Sequence, residues 1–156
     1  MTIIFLTRFS IPVAEHSNYI PFESARSRQH QDYLNILYSY SRLEKKMSIF
    51  TELCVPSVIN QTSTNWKWHI FTSPLLPSNF LNKLETCLGE QLNKSIYLHF
   101  VDDMNDFLSL SNRILEKCPK PYISCRLDDD DGIHETFVEK MERYTSLEDG
   151  DIISFT

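Results

Sequence analysis

The spacing of apolar residues changes several times along the chain, and these changes predict the order of its secondary structure. Short runs of β-branched and aromatic residues, which are typical of buried strands, cover residues 3–9, 68–72, 96–101 and 121–125. Apolar residues at helical spacing begin near Ser41, Pro77, Asn105 and His134. Strands that alternate with helices predict an α/β fold with a mostly parallel sheet flanked by helices.

Three segments depart from this alternation. Residues 10–40 lose the apolar period and are rich in polar residues and proline, so we expect a long loop or insertion there. The helix that begins at Ser41 is expected to continue towards Pro56 or on to Gln61, with a kink or restart at Pro56. Residues 151–155 predict a fifth strand, and a chain that stops at a strand is expected to be part of a longer protein.

Size, composition and charge narrow the range of functions. The chain has 156 residues, 42% of them hydrophobic, which favours one domain with a real core. A net charge of −6 argues against a surface for nucleic acid or anionic membranes. The four cysteines lack the CxxC spacing of zinc sites, and no disulfide framework is expected. With no basic leader and no segment long enough to span a membrane, we expect a cytoplasmic protein.

Four consecutive carboxylates, Asp128 to Asp131, follow the fourth predicted strand directly. The common interpretation of such a run is a solvated turn, but in parallel α/β sheets ligands bind at the carboxyl ends of the strands. Adjacent carboxylates repel one another, and a divalent cation of the Mg²⁺ type, shared with substrate phosphates, would relieve that repulsion. If the strand stays extended through the run, Asp128 and Asp130 project to the same side and form the natural pair of ligands.

Several segments, taken in order, resemble the rhamnosyltransferases, a branch of the nucleotide-sugar glycosyltransferases with the GT-A fold. The segments are residues 7–9, 55–62, 66–68 and 126–131. The resemblance covers nearly the whole chain and corresponds to the N-terminal, nucleotide-binding half of the family's fold, which is Rossmann-like. It implies a single nucleotide-sugar-binding domain over residues 1–156, without the acceptor-binding C-terminal half.

The resemblance also implies the residues of a donor site. Asp128 and Asp130 match an Asp-x-Asp motif that holds Mn²⁺ or Mg²⁺ against a nucleoside diphosphate, and Asp131 is a supporting metal ligand. Arg126 either pairs with the donor diphosphate or clamps the aspartates. The implied donor nucleotide site consists of Thr7, Arg8, Arg113, Arg126, Asp128 and Asp129.

Several of these residues have structural alternatives that the sequence leaves open. A role as the cap of a strand end explains Thr7 about as well as a nucleotide contact does. Asn112 and Arg113 fit an ordinary exposed helix face, and Arg126 fits a structural counter-ion to Asp129.

The acidic turn and the resemblance together predict a metal-dependent glycosyltransferase, or the donor-binding portion of one, acting on a hydroxyl of a glycan or another acceptor. The resemblance also implies an inverting mechanism. A cation at the departing phosphate would lower the barrier directly. No catalytic base is identified, since Glu135, Glu148 and Asp149 are candidates only by residue type. One alternative is a truncated or degenerate protein that binds a nucleotide-sugar without turnover. The other is a nucleotidyl or phosphoryl transferase, which the lack of a glycine-rich phosphate loop disfavours.

Overall fold

A four-stranded, all-parallel sheet forms the centre of the computed structural model, which describes residues 1–14 and 30–144. The strands are β1 (Thr2–Phe9), β2 (Trp66–Thr72), β3 (Ile96–Phe100) and β4 (Tyr122–Arg126). Their order across the sheet is β3-β2-β1-β4. The predicted α/β class with a parallel sheet is therefore confirmed, and the arrangement is Rossmann-like.

Helices cover both faces of this sheet. They are α1 (His30–Leu37), α2 (Tyr40–Ile49), α3 (Val55–Ile59), α4 (Ser78–Leu88), α5 (Met104–Glu116) and α6 (Phe137–Glu142). Helices α2, α3, α4 and α6 contribute to the main core cluster on one face, where Phe5, Trp68 and Ile70 project from the sheet. Helix α5 packs on the opposite face through Phe107, which meets Phe71 edge to face with ring centroids 4.9 Å apart. No helix in the described ranges is both long and apolar enough to cross a membrane.

Two sequence predictions between β1 and β2 need correction. The predicted loop over residues 10–40 is wrong at its C-terminal end, because α1 forms there and buries Tyr33 and Leu37. The helix was expected to kink or restart at Pro56. A new α-helical segment does begin one residue earlier, at Val55, but the irregular part is the π-helical turn just before it, Phe50–Cys54. Pro56 instead lies in the first turn of α3, where its missing N–H costs little. The predicted fifth strand, residues 151–155, lies outside the described residues.

The strand order determines where a ligand crevice is expected. From β1 the chain steps outward to β2 and β3, and it then crosses back over β1 to form β4 on the other side. The order therefore reverses between β1 and β4. In open α/β sheets, ligands bind beyond the carboxyl ends of the strands at such a reversal point.

Candidate functional site

The carboxyl ends of β1 and β4 meet at the reversal point, and the backbone pairing of the two strands sets which side chains are neighbours. Leu6 pairs with Arg126, and the Leu127 N–H continues the ladder by donating to the Leu6 carbonyl at 3.1 Å. Arg8 lies two residues after Leu6 on β1, and Asp128 lies two residues beyond the end of β4. Arg8 Nη2 is 3.5 Å from Asp128 Oδ1. The pairing thus places charged groups from both strands together at the edge of the sheet.

Asp128 is held by two arginines. Arg126 donates through Nε to Oδ1 and through Nη2 to Oδ2, each at 3.0 Å, which is the two-pronged geometry that suits a carboxylate. Partial burial raises the pKa of Asp128, but the hydrogen bonds and charge of Arg126, together with Arg8, outweigh that effect, and its pKa lies below the ordinary value. Asp128 is therefore a carboxylate whose charge is firmly maintained.

Apart from its ion pair with Asp128, the guanidinium group of Arg8 makes only weak contacts. Nη1 lies 3.9 Å from the Met104 sulfur, and the group sits 5.9 Å from the centroid of the Phe107 ring. Its Nε is buried and has no hydrogen-bond partner among the described residues. A guanidinium with this unused donor capacity at a strand end suits an anionic ligand.

Asp129 lies on the other side of the chain from Asp128. Its carboxylate is buried and forms an ion pair with Lys46 of α2, whose ammonium also lies 5.4 Å from the centroid of the Phe9 ring. Burial raises the pKa of Asp129, and the Lys46 charge only partly offsets this. Asp129 therefore anchors the acidic turn to the main core, and Arg126 is not its counter-ion.

Sequence reasoning missed Lys46 altogether. A lysine beside Lys45 on a helix looks like part of a solvated face. A signal was nevertheless present, because Lys46 comes three residues after Leu43 and four before Phe50, both of which are fully buried. Such spacing places the base of the lysine side chain on the core-facing side of α2.

The acidic run turns back instead of staying extended. Strand β4 ends at Arg126, and the Asp131 N–H donates to the Asp128 carbonyl at 3.1 Å. The condition under which Asp128 and Asp130 would share one side of a strand is therefore not met. Asp130 and Asp131 are both exposed at the tip of the turn.

Close packing holds the base of this turn in place. A Cβ atom added at Gly132 would lie 2.8 Å from Leu53 Cδ1 in the π-helical turn, so a side chain there would force a shift. The neighbouring Cys54 Sγ lies 3.8 Å from the Asp128 carbonyl oxygen. The irregular turn between α2 and α3 thus supports the acidic turn from below.

The chemistry of the turn fits a hard divalent cation, although its carboxylates are not gathered into a ready-made cage. Carboxylate oxygens from Asp128, Asp130 and Asp131 are the ligands that Mg²⁺ and Mn²⁺ prefer. Within residues 1–14 and 30–144, no three acidic, histidine or cysteine side chains are already arranged to hold a metal. Any cation here would need further oxygen ligands from a substrate or from water.

Two residues of the predicted donor site lie elsewhere. Thr7 is fully buried, and its hydroxyl oxygen accepts a hydrogen bond from Trp68 Nε1 at 2.8 Å, so it joins β1 to β2 within the core. Arg113 is exposed in the last turn of α5. Helix α5 begins near Arg8 with Met104, and nine residues at 1.5 Å each carry Arg113 roughly 14 Å along the helix. Nucleotide contact by either residue stays a prediction from the sequence.

Comparison with known proteins identifies the family. A family model described as "Putative rhamnosyl transferase" matches residues 2–149. Among curated proteins and among solved structures, no significant match was found. The family match spans nearly the whole chain and includes β1, β4 and the acidic turn, which confirms the resemblance noted in the sequence. The chain therefore belongs to this rhamnosyl transferase family.

Proposed function

We propose that this chain binds a nucleoside diphosphate-sugar together with Mg²⁺ or Mn²⁺ at the crevice between β1 and β4, as a glycosyltransferase or the donor-binding portion of one. The observation that carries the proposal is the meeting of Arg8, Arg126 and Asp128 at the reversal point of the sheet. Ligands of open α/β sheets bind at that point. Two arginines and a neighbouring acidic turn offer the combination that a metal-bound diphosphate requires.

Each charged group has a defined part in this proposal. Transfer of a sugar leaves negative charge on the departing diphosphate, and a divalent cation stabilises that charge. Asp128 would hold the cation with Asp130 from the exposed tip of the turn, and Asp131 would support them. Arg8 and Arg126 would donate to phosphate oxygens, a role to which the forked guanidinium is well suited. Asp129 would keep the turn in place through Lys46.

The donor sugar follows from the family. Its description names rhamnosyl transfer, so we propose a nucleoside diphosphate-rhamnose as donor and a hydroxyl group as acceptor. The inverting mechanism and the GT-A type are proposed on the same family resemblance. An inverting transfer needs a base for the acceptor hydroxyl, and we assign no residue of this chain to that role.

Thermal unfolding in the presence of UDP, dTDP or GDP, each with and without Mn²⁺, tests the proposal. We expect at least one diphosphate to raise Tm only when Mn²⁺ is present. At a hundredfold excess over Kd the gain is about 2.7 kcal/mol, or roughly 5–10 °C for a chain of this size. Asp130→Asn should abolish the gain. Stabilisation that survives this substitution counts against the assigned metal ligands. If none of the three diphosphates stabilises the chain, the proposed function is overturned.

A matched control comes from the same edge of the sheet. Asp102 is an exposed carboxylate just beyond the end of β3. Strands β3 and β4 are separated by three inter-strand spacings, so Asp102 lies about 14 Å from the acidic turn. Asp102→Asn makes the same chemical change as Asp130→Asn and should leave the Mn²⁺-dependent gain intact.

A further inference from the structure

The charges at the crevice are already paired in a way that leaves Asp128 poorly available to a cation. Both of its oxygens accept from Arg126, and Arg8 lies 3.5 Å from one of them. We call Arg8 and Arg126 together the arginine clamp. Asp129 is neutralised by Lys46. The exposed Asp130 and Asp131 are thus the carboxylates of the turn that no arginine or lysine side chain contacts among the described residues.

A divalent cation that approaches Asp128 meets the arginine clamp first. Two guanidinium groups beside one carboxylate repel a second cation, and the forked hydrogen bonds from Arg126 occupy the oxygens that a metal would use. Arg126 is 63% exposed and Asp128 41% exposed, so water screens this repulsion and keeps its size modest.

A diphosphate changes the balance of charge. It brings several negative charges and many acceptor oxygens, which attract guanidinium groups more strongly than a single carboxylate does. The weak contacts of Arg8 leave it ready to turn towards such a ligand. When the arginines move to phosphate oxygens, the Asp128 carboxylate is released for the cation.

We propose that the arginine clamp withholds Asp128 from a divalent cation until a diphosphate draws the two arginines away, so that cation and diphosphate bind as one unit. This inference rests on the proposed function and adds a regulatory step to the same site. Its thermodynamic form is positive coupling between the two ligands, in which each tightens the binding of the other by the same factor.

Binding of Mn²⁺ alone, followed through the electron paramagnetic resonance of unbound Mn²⁺, tests the clamp without any nucleotide. Arg126→Gln should tighten Mn²⁺ binding about three- to fivefold relative to the wild type, because it removes the main competitor for Asp128. The gain should vanish in the Asp128→Asn background, since the released carboxylate is then absent. Because Arg126 is largely exposed, the variant is expected to fold.

Diphosphate binding should change in the opposite direction. With saturating Mn²⁺, calorimetric titration of UDP, dTDP and GDP should show about five- to tenfold weaker binding to Arg126→Gln for whichever of them binds the wild type. Arg143→Gln is the matched control. It removes another largely exposed arginine, which pairs with Glu139 on α6. It should change neither the affinity for Mn²⁺ nor the affinity for the diphosphate.

The outcomes separate the clamp from the proposed function. If the wild type binds one of these diphosphates with Mn²⁺ but Arg126→Gln binds Mn²⁺ alone no more tightly, the clamp is wrong and the function stands. If the wild type binds none of the three diphosphates even with Mn²⁺, the function fails and the clamp fails with it. If Arg126→Gln binds Mn²⁺ alone more tightly and the diphosphate more weakly, and Arg143→Gln shows neither change, both the clamp and the proposed function are supported.

Discussion

Lys46 on α2 and Asp129 in the acidic turn form an ion pair across the boundary between the main core and the crevice, with Asp129 6% and Lys46 20% exposed. The pair points Asp129 away from the crevice, whereas Asp128, one residue earlier, faces the arginine clamp. Neighbouring aspartates therefore have different environments, and their pKa values move in opposite directions from the ordinary value. One carboxylate fixes the turn, and the other lies at the crevice, paired with the arginine clamp.

Removal of Lys46 should destabilise the fold. Lys46→Met leaves Asp129 buried without a counter-ion, and we expect a loss of about 2–4 kcal/mol in the free energy of unfolding at pH 7. The loss should shrink as the pH falls through the raised pKa of Asp129, because a protonated carboxyl group needs no cation. Urea denaturation at several pH values measures both effects.

Lys83 provides a close control for this substitution. It also pairs with a carboxylate, that of Glu44, and lies 5.2 Å from the centroid of an aromatic ring, Phe80, but its ion pair is exposed. Lys83→Met should therefore cost much less than Lys46→Met. Equal losses for the two variants would contradict the anchoring role of the Lys46–Asp129 pair.

Thr7 should contribute to stability more than to nucleotide binding. Thr7→Val keeps the shape of the side chain but leaves the buried Trp68 Nε1–H without its acceptor, at an expected cost of about 1–2 kcal/mol. Thr7→Ser keeps the hydroxyl and should cost less. A Thr7→Val variant that loses diphosphate binding at unchanged stability would favour the sequence prediction of a nucleotide contact.

Arg8 and Arg113 were both predicted to bind the donor, and the structure gives them different expected effects. Arg8→Gln should weaken diphosphate binding about tenfold in the presence of Mn²⁺, because Arg8 lies at the crevice. Arg113→Gln should leave it unchanged within about twofold, since Arg113 lies in the last turn of α5. Calorimetric titration of both variants decides between them, and a large effect at Arg113 would contradict the assigned position of the site.

His69 should make the protein lose stability in mild acid. Its Nδ1 lies 2.9 Å from His99 Nε2, and the two rings stack beneath α5. Burial, with smaller contributions from His99 and Lys67, lowers the pKa of His69 to about 4. Between pH 6.5 and 4 the histidine of the unfolded chain becomes protonated while folded His69 stays neutral. The free energy of unfolding therefore falls as the pH falls, by about 2–3 kcal/mol over this range.

A replacement that cannot titrate isolates this effect. His69→Phe should flatten the pH dependence of the free energy of unfolding between pH 6.5 and 4, whereas His134→Phe, at an exposed histidine, should not. The comparison uses the slope against pH, because loss of the hydrogen bond to His99 shifts stability at every pH. An unchanged slope in His69→Phe would show that other groups cause the acid sensitivity.

The strands and the edge that carries the site were predictable from the sequence because their signals are local. Each strand is a short apolar run, and the acidic turn follows the fourth run directly. Helix α1 gave too weak a pattern, since only Tyr33 and Leu37 of its eight residues are buried. The sequence left open whether residues 128–131 stay extended or turn back, because nothing in a run of identical residues marks where the strand ends.

The partners of individual side chains could not be predicted, because they lie in distant parts of the chain. Lys46 and Asp129 are 83 positions apart, and Thr7 and Trp68 are 61 apart, so no local pattern joins them. The position of Arg113, in contrast, could be predicted from the order of strands and helices along the chain. A helix that connects two parallel strands runs antiparallel to them, and its last turn therefore lies at the edge opposite the site.

The position of a bound metal tests the central claim most directly. Crystals grown with Mn²⁺ and UDP, dTDP or GDP would locate manganese by its anomalous scattering. We predict a manganese peak about 2.2 Å from a carboxylate oxygen of Asp128, Asp130 or Asp131, with the diphosphate beside Arg8. A manganese ion and diphosphate bound away from the ends of β1 and β4, or no bound diphosphate at all, would contradict the account.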